Sequence, residues 1–162
     1  MGMEHDVPVT FADRDRLGQV YRDHAPKLWR ALVAYSGSTH VADDALAEAF
    51  AQAAARGAAL RVPERWVWTC AFRIAAGELK RRAQPPPPSS PSIGVDATEA
   101  LDLLRALAQL PPRQRAALVL HYYGGYKARE IAQIVGSSAA TVRVHLSAGR
   151  KRLREILEVH DD

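Results

Sequence analysis

From Thr141 to Arg154 the chain carries five basic side chains and no acid. A local excess of that kind is the electrostatic mark of a polyanion partner. Helical periodicity at ~100° per residue sorts this segment into two faces. Val142, Leu146, Gly149, Leu153 and Ile156 fall on one side and are expected to pack inward. Ala140, Val144, Ser147, Ala148 and Lys151 fall on the other, flanked by Arg143 and Arg154. Small residues allow close approach to a duplex groove, and long cations at the edge supply phosphate or bidentate base contacts. His145 lies toward the core flank. Upstream, Gly136-Ser137-Ser138 reads as a tight turn that follows a short helix at about 127–134. Short helix, Gly-containing turn and basic helix make a helix-turn-helix. An isolated basic helix would be an ordinary solvated face; the turn and the helix before it favour DNA. Arg113 and Arg115 open an earlier helix, where they suit phosphates or a plain surface role.

A second constellation lies at Trp66, Trp68 and Arg73, ending in Lys80-Arg81-Arg82. Aromatic faces stack on unpaired bases and cations hold the backbone, which suits single-stranded nucleic acid. Tryptophans in a small helical protein are more often core, and at least one of this pair is expected to be. Asp44, Ala47, Glu48 and Ala51 share a helix face, fit for a basic partner helix or for solvent.

The residues argue against catalysis. The chain has no phosphate-cradling Gly loop and no nucleophile elbow. Its six His are scattered, and one Cys excludes a disulfide framework or a Cys-based zinc site. Cys70, between Trp68 and Phe72 in the sequence pattern, reads as a small core residue. No cofactor or metal is expected. No run approaches the ~20 apolar residues of a membrane span, and no leader pattern opens the chain. Asp6 stands where a myristoylation signal needs Ser or Thr. A soluble cytoplasmic protein is the expectation.

The elements that must position these residues are helical. The 162 residues are 48% hydrophobic and 7% aromatic, with 29 Ala, a composition that favours helix over strand. Ala83–Val95 contains four consecutive prolines, which fit neither helix nor central strand. At ~3.1 Å per residue in polyproline II they form a semi-rigid spacer of about 40 Å. The expected architecture is all-α: a helical domain at 1–82, a Pro-rich linker at 83–96 and a second helical domain at 97–162. The first holds helices at about 12–35 (with a kink or break near Pro26), 40–56 and 63–82. The second opens on Asp96-Ala97-Thr98-Glu99, which has capping-box spacing. Pro111-Pro112 starts its next helix, Gly124-Gly125 is a stop, and Ser138 caps the last helix. Residues 1–82 carry 12 basic and 10 acidic side chains, and 97–162 carry 10 and 7. The net charge of +4 therefore hides faces of opposite sign.

Three segments resemble region 4 of bacterial sigma factors: Leu110–Tyr123 (LPPRQRAALVLHYY), Glu130–Gly136 (EIAQIVG) and Thr141–Leu146 (TVRVHL). Region 2 is matched more loosely by Val20-Tyr21, His24, Leu28-Trp29-Arg30, Ala42–Phe50 and Trp66-Val67-Trp68. Two regions joined by a short linker resemble the extracytoplasmic-function subgroup, across roughly residues 11–157. The resemblance implies a polymerase specificity subunit. Region 2 would grip the β′ clamp helices of RNA polymerase core through Asp43, Asp44, Ala47 and Glu48. It would read a melted −10 element with Trp66, Trp68, Arg73, Lys80 and Arg81. Region 4 would touch the β flap and read the −35 duplex. Its implied contacts are Arg129, Ala140, Arg143, Val144, Ser147, Ala148, Arg150 and Lys151. A cognate anti-sigma factor is a further partner that membership implies for many such proteins. The chain departs from the family pattern at Ala47 (usually Gln), Ala54 (Trp), Arg73 (Asn), Gly77 (Asp), Lys127 (Ser) and Ala148 (Arg). The competing function is a stand-alone helix-turn-helix regulator, which leaves residues 1–82 without a task.

Overall fold

A computed structural model describes residues 10–82 and 97–160, apart from the side chains of Ala97 and His160. The proline segment and Asp96, with its expected cap, lie outside the described residues. Among the described residues seven α-helices follow in order: α1 Phe11–Ser36, α2 Thr39–Arg56, α3 Pro63–Arg81, α4 Ala97–Ala108, α5 Pro112–Tyr122, α6 Ala128–Val135 and α7 Ala139–His160. A 3-10 turn at Gly57–Ala59 links α2 to α3. The described residues contain no strand, as the composition led one to expect.

Local chemistry sets the helix ends. The Thr10 hydroxyl accepts from the Asp13 amide at 3.2 Å, and the Asp13 carboxylate accepts from the Thr10 amide at 3.0 Å. Those two bonds satisfy donors that a helix start leaves free. Ser38 caps α2 by accepting from the Val41 amide at 3.2 Å. Ser138 caps α7 in the same way through the Thr141 amide at 3.1 Å. Pro63 and Pro112 occupy first-turn positions, where the missing N–H costs nothing. At α6 the cap is one-sided: Glu130 accepts from the Lys127 amide at 3.1 Å, while lysine has no acceptor to return. Gly136 adopts φ 70°, the left-handed conformation that turns α6 into α7.

Pro26 does not end α1, which continues from Phe11 to Ser36. The proline removes one backbone bond. On either side of it, Ala25, Leu28, Ala31 and Leu32 are buried, and that packing holds the helix through the gap.

The helices form two groups, α1–α3 and α4–α7, and a single buried cluster runs through both. Within the second group, Gly149 faces the Leu118 side chain, where an added Cβ would sit 3.1 Å from a methyl carbon. The missing side chain lets α7 lie close on α5. Trp68 sits where the groups meet and is 1% exposed. Its indole N–H donates to His24 Nδ1 at 3.2 Å. Its ring lies parallel to Phe72 at 6.2 Å and meets Tyr126 edge-on at 5.5 Å. Burial pushes the Tyr126 phenol up to about 12. Around this centre, Arg65 on α3 pairs with Glu130 on α6 at 3.0 Å and donates to Gln133 at 3.2 Å. Arg115 on α5 lies over the Tyr35 ring of α1, 5.5 Å from its centroid.

Replacing a fully buried aromatic by alanine costs about 3–5 kcal/mol through lost transfer energy and the cavity left behind. Trp68→Ala should lower the urea midpoint by that amount of stability, with far-UV and near-UV transitions measured on the full chain.

Candidate nucleic-acid interface

The two faces of α7 sort as periodicity requires. Val142 and Leu146 are buried, Gly149 is buried and Leu153 and Ile156 are partly so. Ala140, Arg143, Val144, Ser147, Lys151 and Arg154 are exposed, and Ala148 is half-buried. Arg129, on α6, is exposed as well. His145 is half-buried on the flank.

Arg150 is held rather than free. Its Nε donates to the Tyr122 hydroxyl at 3.0 Å, and its guanidinium lies 5.7 Å from the Tyr122 ring centroid. Tyr122 is itself 64% exposed, with the His121 ring edge-on at 4.9 Å. One hydrogen bond and one ring face fix the guanidinium plane, leaving its terminal nitrogens available. Periodicity could not find this pair, because the partners are 28 residues apart and on different helices.

On α3 the two tryptophans divide. Trp66 is half-buried, and Arg56 lies over its ring at 5.0 Å from the centroid. Trp68 is enclosed in the core, so it offers no stacking surface, and its expected base contact is corrected to a packing role. Positions i and i+2 on a helix are ~200° apart, so the two indoles cannot share a face. Arg73 and Lys80 are exposed. Arg81 is exposed too but shares Glu78 with Arg82, at 3.1 Å and 3.5 Å. Arg73, Lys80, Arg113 and His145 line a cleft between α3 and α5–α7, and no acid lines it with them.

Arg115 is also corrected. It is 7% exposed, and its Nη1 donates to the carbonyls of Ala108 and Leu110 at 3.3 Å each. Desolvation lowers its pKa from the ordinary arginine value. It closes the α4–α5 turn, and of the two arginines at this helix start only Arg113 is exposed.

The acidic face of α2 is exposed at Asp43, Asp44, Ala47 and Glu48. These positions differ in what they hold. Asp43 accepts from the Trp29 indole N–H at 2.7 Å. Asp44 pairs with His40 at 3.2 Å, and Glu48 accepts from Gln52 at 2.9 Å. Cys70 is half-buried, and burial raises its thiol pKa above the ordinary value, which disfavours the reactive thiolate. Among the described residues no His, Cys, Asp and Glu group could hold a metal ion. No described helix is long and apolar enough to cross a membrane.

A helix-turn-helix whose last helix carries no acid from Thr141 to Arg154, set on a second helical group, defines an all-α DNA-binding transcription protein. Residues 100–153 match the family model for sigma-70, region 4. The chain is 30% identical over 154 residues to the ECF RNA polymerase sigma factor SigM of Mycobacterium tuberculosis, covering 90% of this chain and 79% of that protein. It is 28% identical over 159 residues to the ECF RNA polymerase sigma factor SigE of Mycolicibacterium smegmatis, covering 88% of this chain and 62% of SigE. Its fold is similar to that of the sigma factor RpoE, solved with the anti-sigma factor NepR from Bartonella quintana. That likeness has a TM-score of 0.77 at 20% identity and covers 93% of this chain and 99% of RpoE. The chain belongs to the ECF RNA polymerase sigma factors.

The split among the α2 acids is testable. Asp43→Ala leaves the Trp29 N–H without its acceptor and should cost about 0.5–1.5 kcal/mol of stability. Asp44→Ala removes an exposed contact to His40 and should stay within about 0.5 kcal/mol of the parent. Parallel urea titrations read both.

Proposed function

We propose that this chain binds RNA polymerase core and directs it to a set of promoters. Residues 97–162 read the −35 element in the major groove and touch the β flap. Residues 1–82 meet the β′ clamp helices and read the −10 element as single strand, and 83–96 spans the two. The polymerase does the chemistry, so the chain itself is no enzyme. The observation that carries this reading is the outward face of α7, where Arg143, Lys151 and Arg154 surround small residues behind a capped helix-turn-helix.

Each surface then has a physical task. Arg143 is placed for base edges, where a bidentate arginine discriminates between bases. Lys151 and the tethered Arg150 suit phosphates, whose contacts position the protein without reading sequence. On α3, half-buried Trp66 stacks a melted base, while Arg73 and Lys80 track the backbone. On α2, Asp44 and Glu48 present charge to a basic partner helix, and Asp43 contributes through Trp29. The half-covered Ala148 face and Ala47 lack the long polar side chains usual at these places, so Arg143 and Asp44 carry more of the work. The RpoE likeness supports one further partner, an anti-sigma factor that would hold this chain inactive. The setting is the bacterial cytoplasm.

Run-off transcription with core enzyme, with and without the chain, tests the reading. A promoter-dependent transcript is expected only with it; no core binding and no such transcript would refute it. Transcript sequencing after induction of the chain supplies the promoters. Arg143→Ala should weaken −35 binding by about 1–3 kcal/mol and relax sequence preference. Lys151→Ala should weaken all duplexes alike and reduce the salt slope by about 1. Tyr122→Phe keeps the ring but removes the acceptor for Arg150. It should cost about 0.5–1.5 kcal/mol in promoter affinity with unfolding unchanged. Reversing Asp44 and Glu48 to Lys should abolish pull-down of β′ and spare duplex binding.

A further inference from the structure

We propose that Val144 reads a thymine of the recognised duplex through its 5-methyl group, an inference that rests on the −35 reading above. Ala140, Val144 and Ala148 stand at i, i+4 and i+8 on α7 and form one row along the helix. None of the three has a side chain that can hydrogen bond. Arg143, Ser147 and Lys151 border the row, and all three are exposed. Val144 is 64% exposed, with an alanine one turn away on either side, so its isopropyl group stands highest in the row.

A lone exposed valine on a protein surface needs no explanation. The position of this one is different, because it sits amid the cations that bring α7 to DNA. When that face closes on a duplex, water leaves the valine, and what it meets decides the energy. In the major groove the base pairs present acceptors, amino donors and one apolar feature, the thymine methyl. Against a cytosine or adenine amino group the valine would strip water from a donor and return no acceptor. Against the thymine methyl both surfaces are apolar and both gain from burial. Arg143, next to it, reads by hydrogen bonds, so the two neighbours respond to different features of the duplex.

The experiment uses holoenzyme assembled from core polymerase and the full chain, on a promoter obtained as described above. Each thymine of the −35 element is replaced in turn by deoxyuridine, which removes the methyl group and keeps the pairing. At one thymine the apparent promoter affinity should fall roughly fourfold, the equivalent of about 0.8 kcal/mol for one buried methyl. With Val144→Ala, a change at an exposed site, that penalty should shrink below about 1.5-fold at the same position. A penalty that persists in Val144→Ala overturns the inference. So does an element with no thymine, or one where no uracil replacement matters. Failure of the holoenzyme to form or to transcribe overturns the proposed function itself and the inference with it, a result that the parent chain alone reveals.

Discussion

The burial of Trp68 is the constraint on which the rest of the arrangement depends. An indole has one polar atom, and a buried one must find an acceptor. Trp68 finds it in His24 on α1, while its ring meets Phe72 on its own helix and Tyr126 from the second helical group. A single side chain thus links α1, α3 and the segment before α6. Arg65–Glu130 and Arg115–Tyr35 lie to either side of it and fix orientation. Both arginines leave a buried Nε without a partner, so these contacts carry a desolvation cost. The apolar seam supplies the stability, and the charged contacts set direction.

With the seam closed, the exposed charged surfaces face outward and differ in sign. The acids of α2 stand on one side. The outward row of α7 presents cations around small residues, and Arg73, Lys80 and Arg113 border a cleft without acids. Opposite signs in one small chain nearly cancel in the net charge while leaving surfaces of opposite potential. Internal contacts prepare some of these groups. Tyr122 restrains Arg150, and Asp43 is committed to Trp29, so the ordering entropy of those side chains is partly spent on folding before any partner arrives.

Much of this was legible from one dimension. The faces of α7, its Ser138 cap and the turn at Gly136 follow from periodicity and cap chemistry, which act within four residues. The same local rules placed the start of α5 at Pro112. They misjudged a break at Pro26, because a proline inside a helix is costly only where packing does not offset it, and no local rule shows that Ala25, Leu28, Ala31 and Leu32 of α1 are all buried around it. They also left Arg115 on the surface, for phosphates or for solvent, since nothing local shows that Tyr35 covers it.

The sequence by itself determined the helices, the Ser138 cap, the sides of α7 and the family motifs, since each depends on spacing along the backbone. Only the tertiary structure decided which of Trp66 and Trp68 is enclosed, that Tyr122 holds Arg150, and that Asp43 serves Trp29. Those outcomes are settled by contacts between residues far apart in the chain, for which an indole, a phenol or a carboxylate has many possible partners. Burial and geometry select one partner, and no spacing rule encodes the choice.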